Sequence, residues 1–359
     1  MSPEFQPPNP AKTLPSVKIL HLVPRDGIGG VERAVRAMAS RTDLPCEFRP
    51  LYLEGERNKT SPGGRSIFDP RTQLRALKEI LEYQPDVVIT SLWRTIPTGA
   101  LIKIARPSVK LVAFLHTAAT PHMIDGVLHK FIIRLADQIW ADSDATLRYR
   151  AGAHAEKGRI ISFVTERLEP LLLREYVAPN FVTWGRVNHV KGIDRSFRFI
   201  AELSRRGFNP TFEIWGPDDG AEPSLRQLAL ELDIGHCATF RGPAPSETLP
   251  AIASQASFFL QMSHYEGMAM AVVEAMQLGL VPIVTPVGQV REYCRSGENS
   301  IIADPECIDT SVDEIVHLLE NFTLYTRLQR SCLQTWADAE LYPDQVCLAA
   351  VELLNQPRD

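Results

Sequence analysis

The chain has 359 residues, 45% hydrophobic and 23% charged, the balance of a folded globular protein rather than a disordered one. At roughly 100–200 residues per domain, that length predicts two domains or one large one. Lysine and arginine number 38 against 43 aspartate and glutamate, a net charge of −5, which argues against a nucleic-acid binder working through a broad basic surface.

No apolar run approaches the ~18–20 residues of a membrane span. The N-terminal stretch MSPEFQPPNPAKTLPS lacks the basic start and apolar core of a signal peptide, so residues 1–15 read as a Pro-rich, disordered leader. Six scattered cysteines without a CxxC pair favour reduced thiols over a disulfide framework or a zinc site, and with them a cytoplasmic protein. Along the chain, short apolar runs alternate with longer amphipathic segments. Strands are expected at 17–23, 86–90, 110–115 and 138–141, and helices at 31–40 and 71–83. The rhythm breaks between Thr165 and Pro179, where a charged, Pro-flanked stretch reads as a linker. It restarts with strands at 181–184, 211–215, 238–241, 258–261, 281–285 and 300–303. Helices are expected between them at 194–206, 224–232, 247–254 and 268–278, then at 311–321, 323–335 and 343–354. Continuous apolar strands alternating with helices imply parallel βαβ units buried on both faces. Two such units predict a ligand cleft where strand C-termini and helix N-termini converge.

The strongest chemical signal is SHYEGMAMAVVEAMQLGLVPIV, residues 263–284. Glu274 stands alone in an otherwise apolar helix, and an ionised carboxylate there is costly unless bonded. A sugar or ribose diol is one partner; neighbouring backbone is the other. Glu266 and Gly267 precede the helix, and the backbone N–H groups of Met268 to Met270 are expected to form an N-terminus suited to an anion. In GRVNHVKG (185–192), Arg186 and Lys191 lie just before a helix that begins near Asp194. Two cations there oppose the helix dipole, which makes sense if a diphosphate sits between them; a solvated basic loop is the alternative. The turn VPRDGIGGVERA (23–34) is glycine-rich but is no dinucleotide fingerprint, since Glu32 stands where a third glycine is needed. His116 follows the strand KLVAFL at the edge where ligands of such sheets collect. No P-loop, hydrolase triad or histidine metal pattern is present.

With GRVNHVKG, EIWGPDDG and E-GMAMAVV-E followed by AMQLGLVPIVTPVGQVREY, the chain resembles the retaining glycosyltransferases of the GT-B fold, family four. The likeness is close from Phe181 to Asp304 and looser through GIGGVER, QPDVVIT and FLHTAATP. It implies an α/β fold of two Rossmann-like, doubly wound domains facing each other across a cleft. The acceptor-side domain would span 16–168 and the nucleotide-sugar domain 178–335, with a C-terminal helix (about 336–359) packing back on the first. By resemblance, Glu274 would bind the donor ribose and Glu266 the transferred sugar, with Gly267, Met268 and Ala269 presenting backbone groups to the donor. Arg186 and Lys191 would hold the diphosphate, Gly29 and Gly30 would lie near phosphate or acceptor, and His116 would line the reaction centre. No metal and no cofactor are implied.

The expected reaction is a retaining hexosyl transfer from a nucleotide-diphosphate sugar, UDP preferred over GDP, to a cell-surface glycan or a lipid-linked saccharide. Three departures stand out: Gly288-Gln289 where the family often has Gly-Gly, SFVTERLEP (162–170) before the linker, and Met268 where an aromatic is frequent. The competing reading is a catalytically silent nucleotide-sugar-binding or scaffold subunit. Membrane contact, if any, would be peripheral, through Arg94, Lys103, Arg106, Lys110 and the amphipathic segment 122–134, for which a core-packing helix is the favoured alternative.

Overall fold

The computed structural model describes residues 17–27, 29–54, 69–117, 120, 122–170 and 174–356. The expected leader and residues 171–173 of the expected linker lie outside the described residues.

A first sheet has the strand order β2-β1-β3-β4-β5-β6. Its strands are β1 (Val17–Arg25), β2 (Cys46–Glu54), β3 (Val87–Ser91), β4 (Lys110–Leu115), β5 (Gln138–Ala141) and β6 (Gly158–Ile160). The pairings from β2 through β4 are parallel. Helices α1 (Gly30–Ser40), α2 (Pro70–Tyr83), α3 (Ile96–Ala105), α4 (Met123–Leu135) and α5 (Asp144–Ala151) connect the strands. The central β3 is buried throughout: Val87, Val88 and Ile89 are apolar, and the buried Thr90 hydroxyl donates to the Val112 carbonyl at 3.0 Å. The edge strand β2 was not expected: it alternates in exposure and carries Pro50, which an edge tolerates but a central strand does not. Helix starts follow side-chain chemistry. Asp69 accepts the Arg71 N–H with Pro70 at the first position of α2, and Ser143 accepts the Thr146 N–H at the start of α5.

A second sheet has the order β12-β11-β10-β7-β8-β9, all parallel. It is built from β7 (Asn180–Trp184), β8 (Thr211–Trp215), β9 (Ala238–Gly242), β10 (Phe258–Gln261), β11 (Val281–Val284) and β12 (Ile301–Ile302). Helices α6 (Ile193–Arg205), α7 (Glu222–Glu231), α8 (Leu249–Ala253), α9 (Met270–Gln277), α10 (Val290–Tyr293), α11 (Ile308–Glu320), α12 (Phe322–Trp336) and α13 (Tyr342–Asn355) complete the chain. Aromatic rings fill this core: Phe181 stacks on Phe258 at 5.3 Å, and the Tyr325 hydroxyl donates to the Ser257 carbonyl at 3.0 Å. The chain runs outward from β7 to β8 and β9 on one side and from β10 to β11 and β12 on the other. The β7/β10 junction is therefore the point where strand order reverses and where open α/β sheets collect ligands.

By its contacts the chain divides into two compact units. One holds residues up to Phe114, Ile124–Trp140 and Pro343–Asp359; the other holds Leu115–Met123 and Ala141–Tyr342. The division runs through the last residues of β4 and β5 rather than through a linker, so His116 and Asp142 belong to the second unit.

Candidate functional site

Three loops leave the carboxyl ends of β7, β10 and β11, and glycines lock them together. The first runs from Gly185 to Gly192. Its Val187 bridges to Asp218, donating to the Pro217 carbonyl and accepting from the Asp219 N–H, each at 2.9 Å. Gly192 adopts φ 61° at the start of α6, and a Cβ there would overlap the Met262 carbonyl oxygen. Only glycine meets both demands. The third loop carries Gly288 at φ 56°, where a Cβ would overlap the Glu266 carbonyl oxygen, and the Gln289 N–H donates to the Gly267 carbonyl at 2.9 Å.

At the centre lies Glu266. Its Oε1 accepts from Lys191 Nζ at 2.9 Å, Gln261 Nε2 at 3.0 Å and the Ser263 hydroxyl at 2.8 Å. Three donors on one oxygen fix the carboxylate and bring a cation beside it. Arg186 does not share this cluster. Its guanidinium donates to Asp219 Oδ2 at 3.3 Å, and Asn188 donates to the same oxygen at 3.0 Å. The two cations of the basic loop thus bond to different carboxylates.

The helix expected from Met268 begins instead at Met270, with Ala269 as a left-handed cap at φ 56°. The reason lies in Met268, whose side chain leaves the helix axis to pack elsewhere. Its sulfur accepts the Phe163 N–H at 3.2 Å and the Ser162 hydroxyl at 3.6 Å, and its carbonyl accepts the Tyr293 hydroxyl at 2.8 Å. Two departures noted in the sequence, Met268 and the 162–170 segment, therefore touch each other. The N-terminus of α9 is offered by Met270 and Ala271, both half-buried, rather than by Met268 and Ala269.

Glu274 is buried in the second turn of α9, where its Oε2 accepts the Trp184 indole N–H at 2.8 Å. The expected need for a partner is thus met at one oxygen by a side chain from the end of β7. His116 follows β4; its ring stands edge-on to Phe163 at 5.2 Å. Its carbonyl oxygen would lie 3.0 Å from a Cβ on Gly267. Gly29 and Gly30 open α1 in the first unit; Gly29 is extended at φ −174°, and a Cβ on Gly30 would meet open space.

Sequence reasoning missed Asp142, which follows β5 as a carboxylate directly after an apolar strand. A Cβ on Gly267 would overlap its Oδ2, so Asp142 and the Glu266–Gly267 turn are in close contact. Burial raises the Asp142 carboxyl to about 6, with the negative charge of Glu266 adding to the shift and hydrogen bonds from Thr146 and Ser143 opposing it. Also missed were three amide side chains, one on each loop or at its strand: Asn188, Gln261 and Gln289. Their amide oxygens are buried and have no hydrogen-bond partner among the described residues. Asn188 and Gln261 each already donate through nitrogen to a carboxylate, which fixes which end is the oxygen. Carboxylates, bare amide oxygens and a lysine around one turn suit a ligand rich in hydroxyl donors with an anionic group.

Two parallel sheets flanked by helices, together with the solved structures named below, show that the chain has the GT-B glycosyltransferase fold. Residues 177–332 match the family described as glycosyl transferases group 1. A GDP-mannose:cellobiosyl-diphosphopolyprenol alpha-mannosyltransferase of Komagataeibacter xylinus is 35% identical over 203 residues, covering 50% of this chain and 51% of the relative. An alpha-D-kanosaminyltransferase of Streptomyces kanamyceticus is 26% identical over 144 residues, 40% of this chain and 37% of the relative. Of the latter, the chain spans little more than a third. Among solved structures, Anabaena Alr3699/HepE in complex with UDP and glucose aligns with a TM-score of 0.74 at 15% identity, over 94% of this chain and 99% of that one. The sucrose-phosphate synthase of Thermosynechococcus elongatus aligns at 0.74 and 17% identity, over 94% and 98%. At such identities these two likenesses establish the fold.

Proposed function

We propose that the protein is a retaining glycosyltransferase that moves a hexosyl group from a nucleoside-diphosphate sugar to an acceptor hydroxyl without a metal ion. The observation that carries the reading is the Glu266 cluster. The loops after β7 and β10 bring a lysine and a carboxylate to 2.9 Å of each other, with the buried amide oxygens of Gln261 and Gln289 on the neighbouring segments. Sugar hydroxyls supply the donors those oxygens lack. When the bond from the anomeric carbon to the diphosphate oxygen breaks, negative charge grows on the leaving phosphate. Lys191, Arg186 and the N-terminus of α9 stabilise it electrostatically, the work a divalent cation does elsewhere. The acceptor oxygen bonds to the anomeric carbon on the face the phosphate leaves, and its proton passes to the departing phosphate. Glu274, whose Oε2 also accepts the Trp184 indole N–H, holds the donor ribose, as the family resemblance implies.

UDP is the base favoured by the family resemblance, and a lipid-linked or cell-surface glycan is the acceptor class. A second reading of the donor, a GDP-sugar, is supported by the GDP-mannose in the name of the 35%-identical relative. A thermal-shift panel of UDP, GDP and their sugars tests both, because a ligand of the folded state raises the midpoint by mass action. Transfer is then assayed with the stabilising donor. Stabilisation without transfer to any acceptor or water would favour the silent subunit instead; no stabilisation by any nucleotide would end the proposal.

A further inference from the structure

Folding brings together two cysteines that lie far apart in the chain. Cys46 opens β2, the edge strand of the first sheet, and Cys347 stands in the second turn of α13. Both belong to the same compact unit, which the chain rejoins with α13 after running through the other. The Cys46 thiol hydrogen-bonds to the Cys347 sulfur. A second contact fixes the same junction: Arg41, just ahead of β2, donates to Asp344 Oδ1 at 3.1 Å, one turn before Cys347. The helix is seated from that side, with Val346, Ala349, Ala350 and Leu353 buried beside Cys347.

The two thiols are not equivalent. The hydrogen bond from Cys46 lowers the Cys347 thiol below its ordinary value, against burial and the charge of Asp344, which Arg41 partly offsets. The same bond, with burial, pushes the Cys46 thiol up. Cys347 is therefore the nucleophile of the pair and Cys46 the resolving thiol. Cys46 is half-buried at the sheet edge, which gives a small oxidant a route to both sulfurs. The other cysteines lack this arrangement: Cys237, Cys294 and Cys332 are buried with raised thiols, and Cys307 is exposed.

We propose that Cys46 and Cys347 form a reversible disulfide that staples α13 to the edge of the first sheet, with a small hydroperoxide as the oxidant. The Cys347 thiolate attacks one peroxide oxygen, the O–O bond breaks, and the hydroxide released takes up a proton as water. The Cys46 sulfur then attacks the Cys347 sulfenic sulfur. An S–S bond forms, the S–O bond breaks, and the leaving hydroxide takes the Cys46 proton. Two thiols are oxidised by two electrons and one hydrogen peroxide is reduced to two waters. Without the bond, the polar contact that remains is an ion pair whose side chains are 29% and 49% exposed, which holds weakly. With it, a loop of about 300 residues is closed around the other unit, and long loops restrict the unfolded chain most.

Hydrogen peroxide treatment of the full chain tests this, in a Cys307→Ser background that removes the exposed thiol able to cross-link two copies. Thiol counting and peptide mapping should show two thiols lost together and Cys46 joined to Cys347, with dithiothreitol restoring both. The oxidised form should melt roughly 5 °C or more above the reduced one. Cys46→Ser should halt the reaction at the Cys347 sulfenic acid, which dimedone captures, and its midpoint should no longer rise with peroxide. Cys347→Ser should leave Cys46 unlabelled at the same dose. The proposal is overturned if peroxide consumes neither thiol, if the mapped bond joins Cys294 to Cys332, if the midpoint of the oxidised form does not rise, or if dimedone labels Cys46 instead. Mapping and melting of the chain that keeps both thiols decide the matter even where a serine variant fails to fold. No sugar donor enters these measurements, so their outcome is independent of the transferase reading.

Discussion

Replacing Lys191 by methionine separates the ion pair that the structure shows from the role proposed for this side chain at the donor phosphate. The ammonium neutralises Glu266 at 2.9 Å, and it is also the cation assigned to the leaving phosphate. Truncating one partner of a fully buried pair costs roughly 3–5 kcal/mol, whereas exposed pairs contribute at most about 1 kcal/mol. Here the side chains are 22% and 12% exposed, and Gln261 and Ser263 still donate to the same oxygen. The stability loss should therefore be about 1–2 kcal/mol, a fall of a few degrees in Tm. Loss of one electrostatic stabiliser of a developing oxyanion is larger, about a hundredfold to a thousandfold in kcat. The decisive measurement is a double-mutant cycle with Glu266→Gln, reading Tm and donor turnover. Removing the carboxylate's charge should cancel the stability cost of Lys191→Met, yet turnover should still drop at least about tenfold further in the Glu266→Gln background. If Lys191→Met costs no turnover in that background, the lysine only neutralises Glu266 and its role at the phosphate is refuted.

Asp142 makes stability depend on pH. Its carboxyl is raised from 3.8 to about 6 in the fold, so the folded state binds the proton more tightly. Stability is then greatest below about pH 4, falls as pH rises through 6 and levels off above, by about 3 kcal/mol in all. Asp142→Asn should lie above wild type in Tm at pH 7.5 and meet it near pH 4; parallel profiles would contradict the assignment. Gly192→Ala adds the left-handed strain of about 1–2 kcal/mol to an overlap with the Met262 carbonyl, so expression or cooperative melting should fail, while Gly207→Ala, left-handed but in open space, should lose only the strain. Met268→Leu conserves volume but leaves the buried Phe163 N–H without its sulfur acceptor, which predicts a loss of about 1 kcal/mol by urea denaturation.

The alternation of strands and helices was readable because buried parallel strands are continuous apolar runs; β4, β5, β8 and β10 fall on the expected residues. The edge strand β2 was hidden by its alternation, and α5, rich in charge, by its weak apolar stripe. Glu266 and Glu274 were legible because a carboxylate beside or inside an apolar helix is conspicuous. Asn188, Gln261, Gln289 and Asp142 were not, since an amide or an acid at the end of a strand is ordinary until its neighbours are known.

Local chemistry determined the α/β order, the glycine-marked loops and the isolated acids, because each depends on residues a few positions apart. Tertiary structure decided what those groups meet. It paired Lys191 with Glu266 and Arg186 with Asp219, gave the Trp184 indole to Glu274, and moved the start of α9 by anchoring Met268 on residues 162 and 163. It also turned the apolar side of α4 outward, which hydrophobic spacing alone cannot decide. A helix with apolar residues on both sides has two faces that could be buried, and only the sheet against which it packs selects one.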